Sequence, residues 1–170
     1  MTDEDCGLAG RHGRIYAIEC FDAAGRLKWR EDVANLVTNA GLDDILDKYY
    51  KGSAYTAAFY VGLADGTPTF AAGDTMASHA GWAEVTGYSE SVRQDLTMGS
   101  VASQSVDNSA AKATFSINAT VTVGGAFVTT NSAKSGTTGT LVGGAAFSGD
   151  RSAVSGDTIT VTVTATQAAV

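Results

Sequence analysis

The stretch TITVTVTAT, residues 158–166, alternates without interruption: Ile159, Val161, Val163 and Ala165 on one side, Thr158, Thr160, Thr162, Thr164 and Thr166 on the other. A period of two sends successive side chains to opposite faces of a strand, one face buried and the other wet, and β-branched residues suit both. The same pattern extends upstream. In AKATFSINA (111–119), Ala113, Phe115, Ile117 and Ala119 share a face. Val121 and Val123 alternate with Thr120 and Thr122 until Gly124-Gly125, which predicts a bulge or kink. TLVGGAAF (140–147) repeats this style after the loop NSAKSGTTG (131–139). Ser148-Gly149-Asp150 and Ser155-Gly156-Asp157 read as turns. From residue 101 onward the chain is therefore expected to be all β, and its neutral, Thr-rich strands lack the Lys and Pro that guard exposed sheet edges.

The first half is built differently. RIYAIECF (14–21) and RLKWRE (26–31) alternate around Asp22-Ala23-Ala24-Gly25, which predicts a hairpin over 14–31. Leu27 and Trp29 are expected to point inward, and Arg26, Lys28 and Arg30 outward as a cationic row. That row is either a solvated strand face or a protein-docking face for an acidic neighbour. Residues 39–51 predict one helix. Thr38 or Asn39 can cap it, Leu42, Ile45, Leu46 and Tyr49 fall at i, i+3, i+4 and i+7, and Gly52 suits the position after the end. Asp43 and Asp44 are placed in its first turn, Lys48 and Lys51 near its last. The apolar stripe places Leu46 in one core with Val161. Residues 55–64 form a buried strand, 65–81 a long loop of the kind that often carries function, and 82–88 and 91–98 weaker alternating segments. Many short strands with turns between them, and one helix near 39–51, define a mainly β chain, an antiparallel β-sandwich of jelly-roll-like type. Residues 1–13 are expected to be an N-terminal extension and 14–170 a single β-rich domain.

Composition narrows the function. The chain has 170 residues, 17% of them charged, and a net charge of −7. An acidic chain gains nothing from the counterion release that drives nucleic-acid binding, so no nucleic-acid partner is expected. No apolar run approaches the ~20 residues of a membrane helix, so no membrane partner is expected. The acidic start, MTDEDCGLAG, lacks the basic and apolar parts of a signal peptide. Cys6 and Cys20 are expected to be reduced thiols, although a bridge between them is not decided by sequence. No catalytic constellation emerges. His79 has Asp74, Thr75 and Ser78 near it in sequence but no Gly-x-Ser-x-Gly elbow. Glu84 and Glu90 read as scattered acids rather than a glycosidase pair, and Asp43, Asp44 and Asp47 lack a calcium-binding loop. No metal and no cofactor are expected. Tyr49, Tyr50, Tyr55, Phe59 and Tyr60 read as a seam between helix and sheet, with a sugar platform as the other reading.

Several longer strings carry a resemblance. NLVTNAGLDDILDKYY (35–50), AAFYVGLADG (57–66) and AAGDTMASHAGWAEVTGYSESVRQ (71–94) resemble a family of small tailed-bacteriophage proteins. So do FSINATVTVGGAFVTT (115–130), GTTGTLVGGAAFSGD (136–150) and VSGDTITVTVT (154–164). The resemblance spans roughly residues 15–166 and implies a non-enzymatic virion structural protein. The role it favours is capsid decoration, or cement, with the major capsid protein or other virion proteins as partners and self-association as a dimer or trimer. A tail or head–tail accessory protein, or a carbohydrate-binding tail-fibre module, is the alternative. Its location would then be the virion, assembled in the host cytoplasm. No catalytic residue carries over.

Overall fold

The structure is a computed structural model and describes residues 11–55 and 58–168. It is mainly β: two antiparallel sheets face each other as a sandwich, with one helix at the side. The first sheet has the order β2-β1-β10-β6, formed by β1 (Arg11–Phe21), β2 (Leu27–Ala34), β10 (Thr158–Ala168) and β6 (Ser105–Asp107). A further strand, β7 (Ala113–Ser116), pairs with β10 beside β6. The second sheet has the order β3-β9-β8-β4-β5, from β3 (Leu36–Val37), β9 (Leu141–Ala153), β8 (Val121–Thr129), β4 (Tyr60–Ala64) and β5 (Gln94–Asp95). Tyr16, Ile18, Phe115, Ile159, Val161 and Val163 of the first sheet meet Val61, Leu63, Val123, Val128, Val142 and Phe147 of the second in one apolar cluster.

The residues 158–166 behave as their alternation requires: Ile159, Val161 and Val163 are fully buried. Ala113, Phe115 and Ile117 are buried as well, while Ala119 is exposed. The strands expected to offer free edges are interior ones. β10 lies between β1 and the pair β6 and β7, and β8 lies between β9 and β4. Apart from the eight-residue β2 at one margin of the first sheet, the sheets end in short segments. β3 and β5 have two residues each, and β6 and β7 three and four. β6 and β7 cover different stretches of β10, Thr164–Thr166 and Thr158–Val161. The gap between them is closed by a side chain. Buried Asn108 donates from Nδ2 to the Val161 carbonyl at 3.2 Å, and its Oδ1 accepts from the Val163 N–H at 2.7 Å. The amide of one asparagine thus stands in for a strand residue.

The kink expected at Gly124-Gly125 is present as a break in the β8–β9 register between Val123 and Gly125. Opposite it, Val123 pairs with Arg151 and Gly125 with Ala146, so residues 147–150 loop out from the ladder. Ser148-Gly149-Asp150, expected to reverse the chain, is therefore an excursion within β9. Ser155-Gly156-Asp157 does form the turn into β10, with Gly156 at φ 94.

Residues 65–81 contain no regular element, as expected, but they are packed rather than splayed. Phe70, Met76 and Trp82 cover the outer face of the second sheet over Phe127 and Leu141. Trp82 lies 4.7 Å from Phe127 and 5.1 Å from Phe70, ring centre to ring centre. Gly62 and Gly144 leave the floor for these rings: a Cβ at either position would overlap Phe127 or Phe70. This second cover explains why residues 123–129 of β8 are buried on both faces. Of the segments 82–88 and 91–98, only Gln94–Asp95 becomes a strand. The strand expected over 55–64 is shorter, Tyr60–Ala64.

One boundary shifts at the front. β1 begins at Arg11, inside the extension drawn as 1–13, and pairs with β10 through Ala168. Residues 1–10, with Cys6, lie outside the described residues, and so does any Cys6–Cys20 pairing. Cys20 is buried as a free thiol, and burial together with the neighbouring Asp157 carboxylate pushes it up to about 11.

Candidate functional site

The Asp22–Gly25 turn forms as read, with Gly25 at φ 76 and Asp22 Oδ1 accepting from the Ala24 and Arg26 N–H groups. The strict alternation of β2 does not hold. Cys20 pairs with Trp29 and Phe21 with Leu27, so Lys28 is an extra residue in a bulge. The bulge turns Leu27 outward, contrary to the expected inward position; it is 54% exposed. Arg26, Lys28 and Arg30 remain on β2 or at its start, but each is already answered by a carboxylate. Arg26 Nε meets Asp22 at 2.7 Å, and Arg30 bridges Glu19 at 2.9 Å and Asp32 at 2.8 Å. Lys28 reaches across β1 to the buried carboxylate of Asp157. The row is thus locally neutral, and Lys28 supports the fold.

Asp157 also accepts from the Val154 N–H at 2.8 Å. Burial pulls its carboxyl upward, but the bonds from Lys28 and Val154 outweigh this and hold it below the usual carboxylate range. A depressed folded-state value stabilises the fold above the unfolded value, ~3.9, and the contribution fades as pH falls through the folded one. The stability gap between wild type and Asp157→Asn is therefore expected to be constant above about pH 5 and to shrink below about pH 4. Urea melts at neutral and acid pH check this; a gap that stays constant into strong acid removes the assignment.

His79 stacks on Trp82, ring centres 3.8 Å apart, and its Nδ1 lies 3.0 Å from the Trp82 carbonyl. Both line a cleft of about 330 Å³ with Met76, Glu84, Arg93 and Gly136. Glu84 holds Arg93 in a two-pronged ion pair, Nε to Oε1 at 2.9 Å and Nη2 to Oε2 at 2.8 Å, with Arg93 1% exposed. Arg93 also donates to the carbonyls of Asn131 and Gly136 and sits over the Phe127 ring at 5.2 Å. The Ser135 N–H completes Glu84 at 2.8 Å. Glu90 accepts from the Ser116 N–H with both oxygens at 3.1 Å. Glu84 and Glu90 are therefore each occupied in structure and do not face one another as a pair. The aromatics beside the 65–81 loop point inward, so that loop presents no flat ring surface for a sugar.

The surface that sequence reading missed is on α1 (Asn39–Tyr50). The helix starts as expected: Thr38 Oγ1 accepts from the Gly41 N–H at 3.1 Å, and Gly52 takes φ 66 beyond the end. With the start at Asn39, Asp43 and Asp44 fall in the second turn, not the first. The buried helical residue is Gly41, which lies on the Val142 backbone so closely that a Cβ would overlap the Val142 carbonyl. The helix leans on the sheet at this point, which rotates its apolar stripe away from the core. Leu42 is 42% exposed, Leu46 53%, Tyr49 80% and Tyr50 75%. Tyr55 continues the patch at 59% and forms a shallow groove with Ile45, Tyr49 and Phe59. The expected helix–sheet seam is thus an exposed surface, and Leu46 does not share the core with Val161. Leu46→Ala is accordingly expected to change stability by less than ~0.5 kcal/mol, against ~2–5 kcal/mol for a core leucine. A thermal melt decides between the two.

Among the described residues, no group of three or more His, Cys, Asp or Glu side chains could hold a metal ion, and no helix is long and apolar enough to cross a membrane. No protein-family model and no curated protein matches the chain.

Proposed function

We propose that this chain is a non-enzymatic virion structural protein, a capsid decoration protein that binds and stabilises the assembled head. The observation that carries the assembly role is the outward apolar stripe of α1. Leucines and tyrosines spaced for burial, yet left in solvent, mark a surface that another macromolecule covers. The polar groups that might have carried chemistry instead hold the fold: Glu84 anchors Arg93, Glu90 fixes the Ser116 backbone and Asp157 receives Lys28. The virion and the head come from the resemblance of residues 15–166 to small tailed-phage proteins, with the major capsid protein as partner. A lattice strengthens weak contacts, because each bound copy sits beside several sites at high effective concentration. Purified protein should therefore co-sediment with heads stripped of accessory proteins, saturably, and raise their tolerance to heat. Absence of head binding, or recovery on tails alone, refutes the decoration assignment.

A further inference from the structure

We propose that two copies of this chain pair through the outward face of α1, with Leu42, Leu46, Tyr49, Tyr50 and Tyr55 at the contact. The inference rests on the assembly reading of that surface and names its occupant. Size is the first argument. At ~200 Å² per tyrosine, Tyr49, Tyr50 and Tyr55, exposed 80%, 75% and 59%, present roughly 400 Å². With the two leucines the patch supplies more than half of the ~800 Å² that each partner brings to a standard interface.

Shape is the second argument. Leu42, Leu46 and Tyr49 stand at i, i+4 and i+7 and make a ridge one helix wide. Such a ridge seats in the groove of another helix, which is how helices pack side by side. Among the described residues α1 is the one α-helix, so a second copy offers a matching groove at the same place. A contact of one patch with itself is isologous and closes at two copies.

Polarity sets the direction. At about 100° per residue, Asp43 and Tyr50 lie on the same flank of the ridge. In an antiparallel pair centred on Leu46, the Asp43 carboxylate of one copy lies opposite Tyr49 and Tyr50 of the other, acceptor against hydroxyl donors. In a parallel pair the flank that carries Asp43 faces away from the partner's Tyr50, so this acceptor–donor contact is lost. Lys48 and Lys51 are engaged with Asp47 on their own helix, 3.9 and 2.7 Å away.

The test is the mass of the full chain by sedimentation equilibrium from low to high micromolar concentration. Wild type should approach twice its 17.3 kDa, and Leu46→Asp and Tyr49→Ser should return to the single-copy mass with unchanged circular dichroism. In a Cys6→Ser background, Leu46→Cys should cross-link into a covalent dimer on oxidation, while Ile15→Cys, on the outer face of the first sheet, should not. A wild type that keeps the single-copy mass throughout, or a dimer untouched by Leu46→Asp, overturns the pairing. Head binding is read separately. A single-copy protein that still co-sediments refutes the pairing alone, and a dimer that does not co-sediment refutes the decoration role alone.

Discussion

Replacing Glu84 by glutamine should lower the unfolding free energy by about 3–5 kcal/mol, the cost of leaving a buried charge without its counter-ion. Glutamine keeps the shape and can still accept from the Ser135 N–H, so the loss isolates the charge. Arg93, 1% exposed, would remain buried with neutral acceptors and the Phe127 ring around it but no counter-ion. These bonds tie the segment before β5 to the 131–136 loop, so the damage should centre there, and hydrogen exchange should quicken in both. Urea midpoints with an unchanged slope measure the effect. The double change Glu84→Leu with Arg93→Met should recover part of the loss, since an apolar pair removes the uncompensated charge. Recovery will be incomplete, because the Ser135 N–H and two carbonyls then lose partners. A penalty below about 1 kcal/mol for Glu84→Gln would mean that the pair behaves as a solvated one.

Asn108→Leu should cost roughly 2–4 kcal/mol. It fills similar space but strands the Val163 N–H and the Val161 carbonyl in the interior, each worth about 1–3 kcal/mol when left unmade. Asn108→Asp can still accept from Val163 but sets an unpaired carboxylate against the Val161 carbonyl at a buried site, so near neutral pH it should cost at least as much as Asn108→Leu. Amide exchange at Val163 reads the first bond directly. Unchanged protection there in Asn108→Leu would show that water or a shifted strand replaces the side chain.

What was legible in the sequence follows from which forces act locally. The alternation in 158–166 specified both the strand and its buried face, because a one-residue slip would put Ile159, Val161 and Val163 in water. Thr38 and Gly52 marked the helix ends, because capping is settled within a few residues. Its orientation was not legible from the same window. The apolar stripe argued for Leu46 inward, but the close approach of Gly41 to Val142, a residue far along the chain, sets the rotation. A glycine in the first turn of an otherwise good helix was the available signal, since it costs about 1 kcal/mol there unless something needs the space. The ion pair of Lys28 was not legible for the same reason: Asp157 is distant in sequence, and only the β2-β1-β10 order brings it beneath Lys28. The buried Glu84–Arg93 pair gave no sequence signal at all, since eight residues of irregular chain separate two ordinary surface-type residues.

The short margins of the two sheets have a consequence for crowding. The second sheet ends in strands of two residues, Leu36–Val37 and Gln94–Asp95, and the first ends in the bulged, charged β2 on one side and the asparagine-patched pair on the other. A strand that short cannot template a neighbour's backbone, and a bulge flanked by Arg30, Glu31 and Asp32 twists and repels one. At these margins, copies held at very high local density find little backbone to pair through, although β3 covers β9 only at Gly143 and Gly144. Side-chain contacts, which can be chosen residue by residue, are left to govern how such copies meet, and a contact that closes on itself ends growth where an open strand edge would continue it.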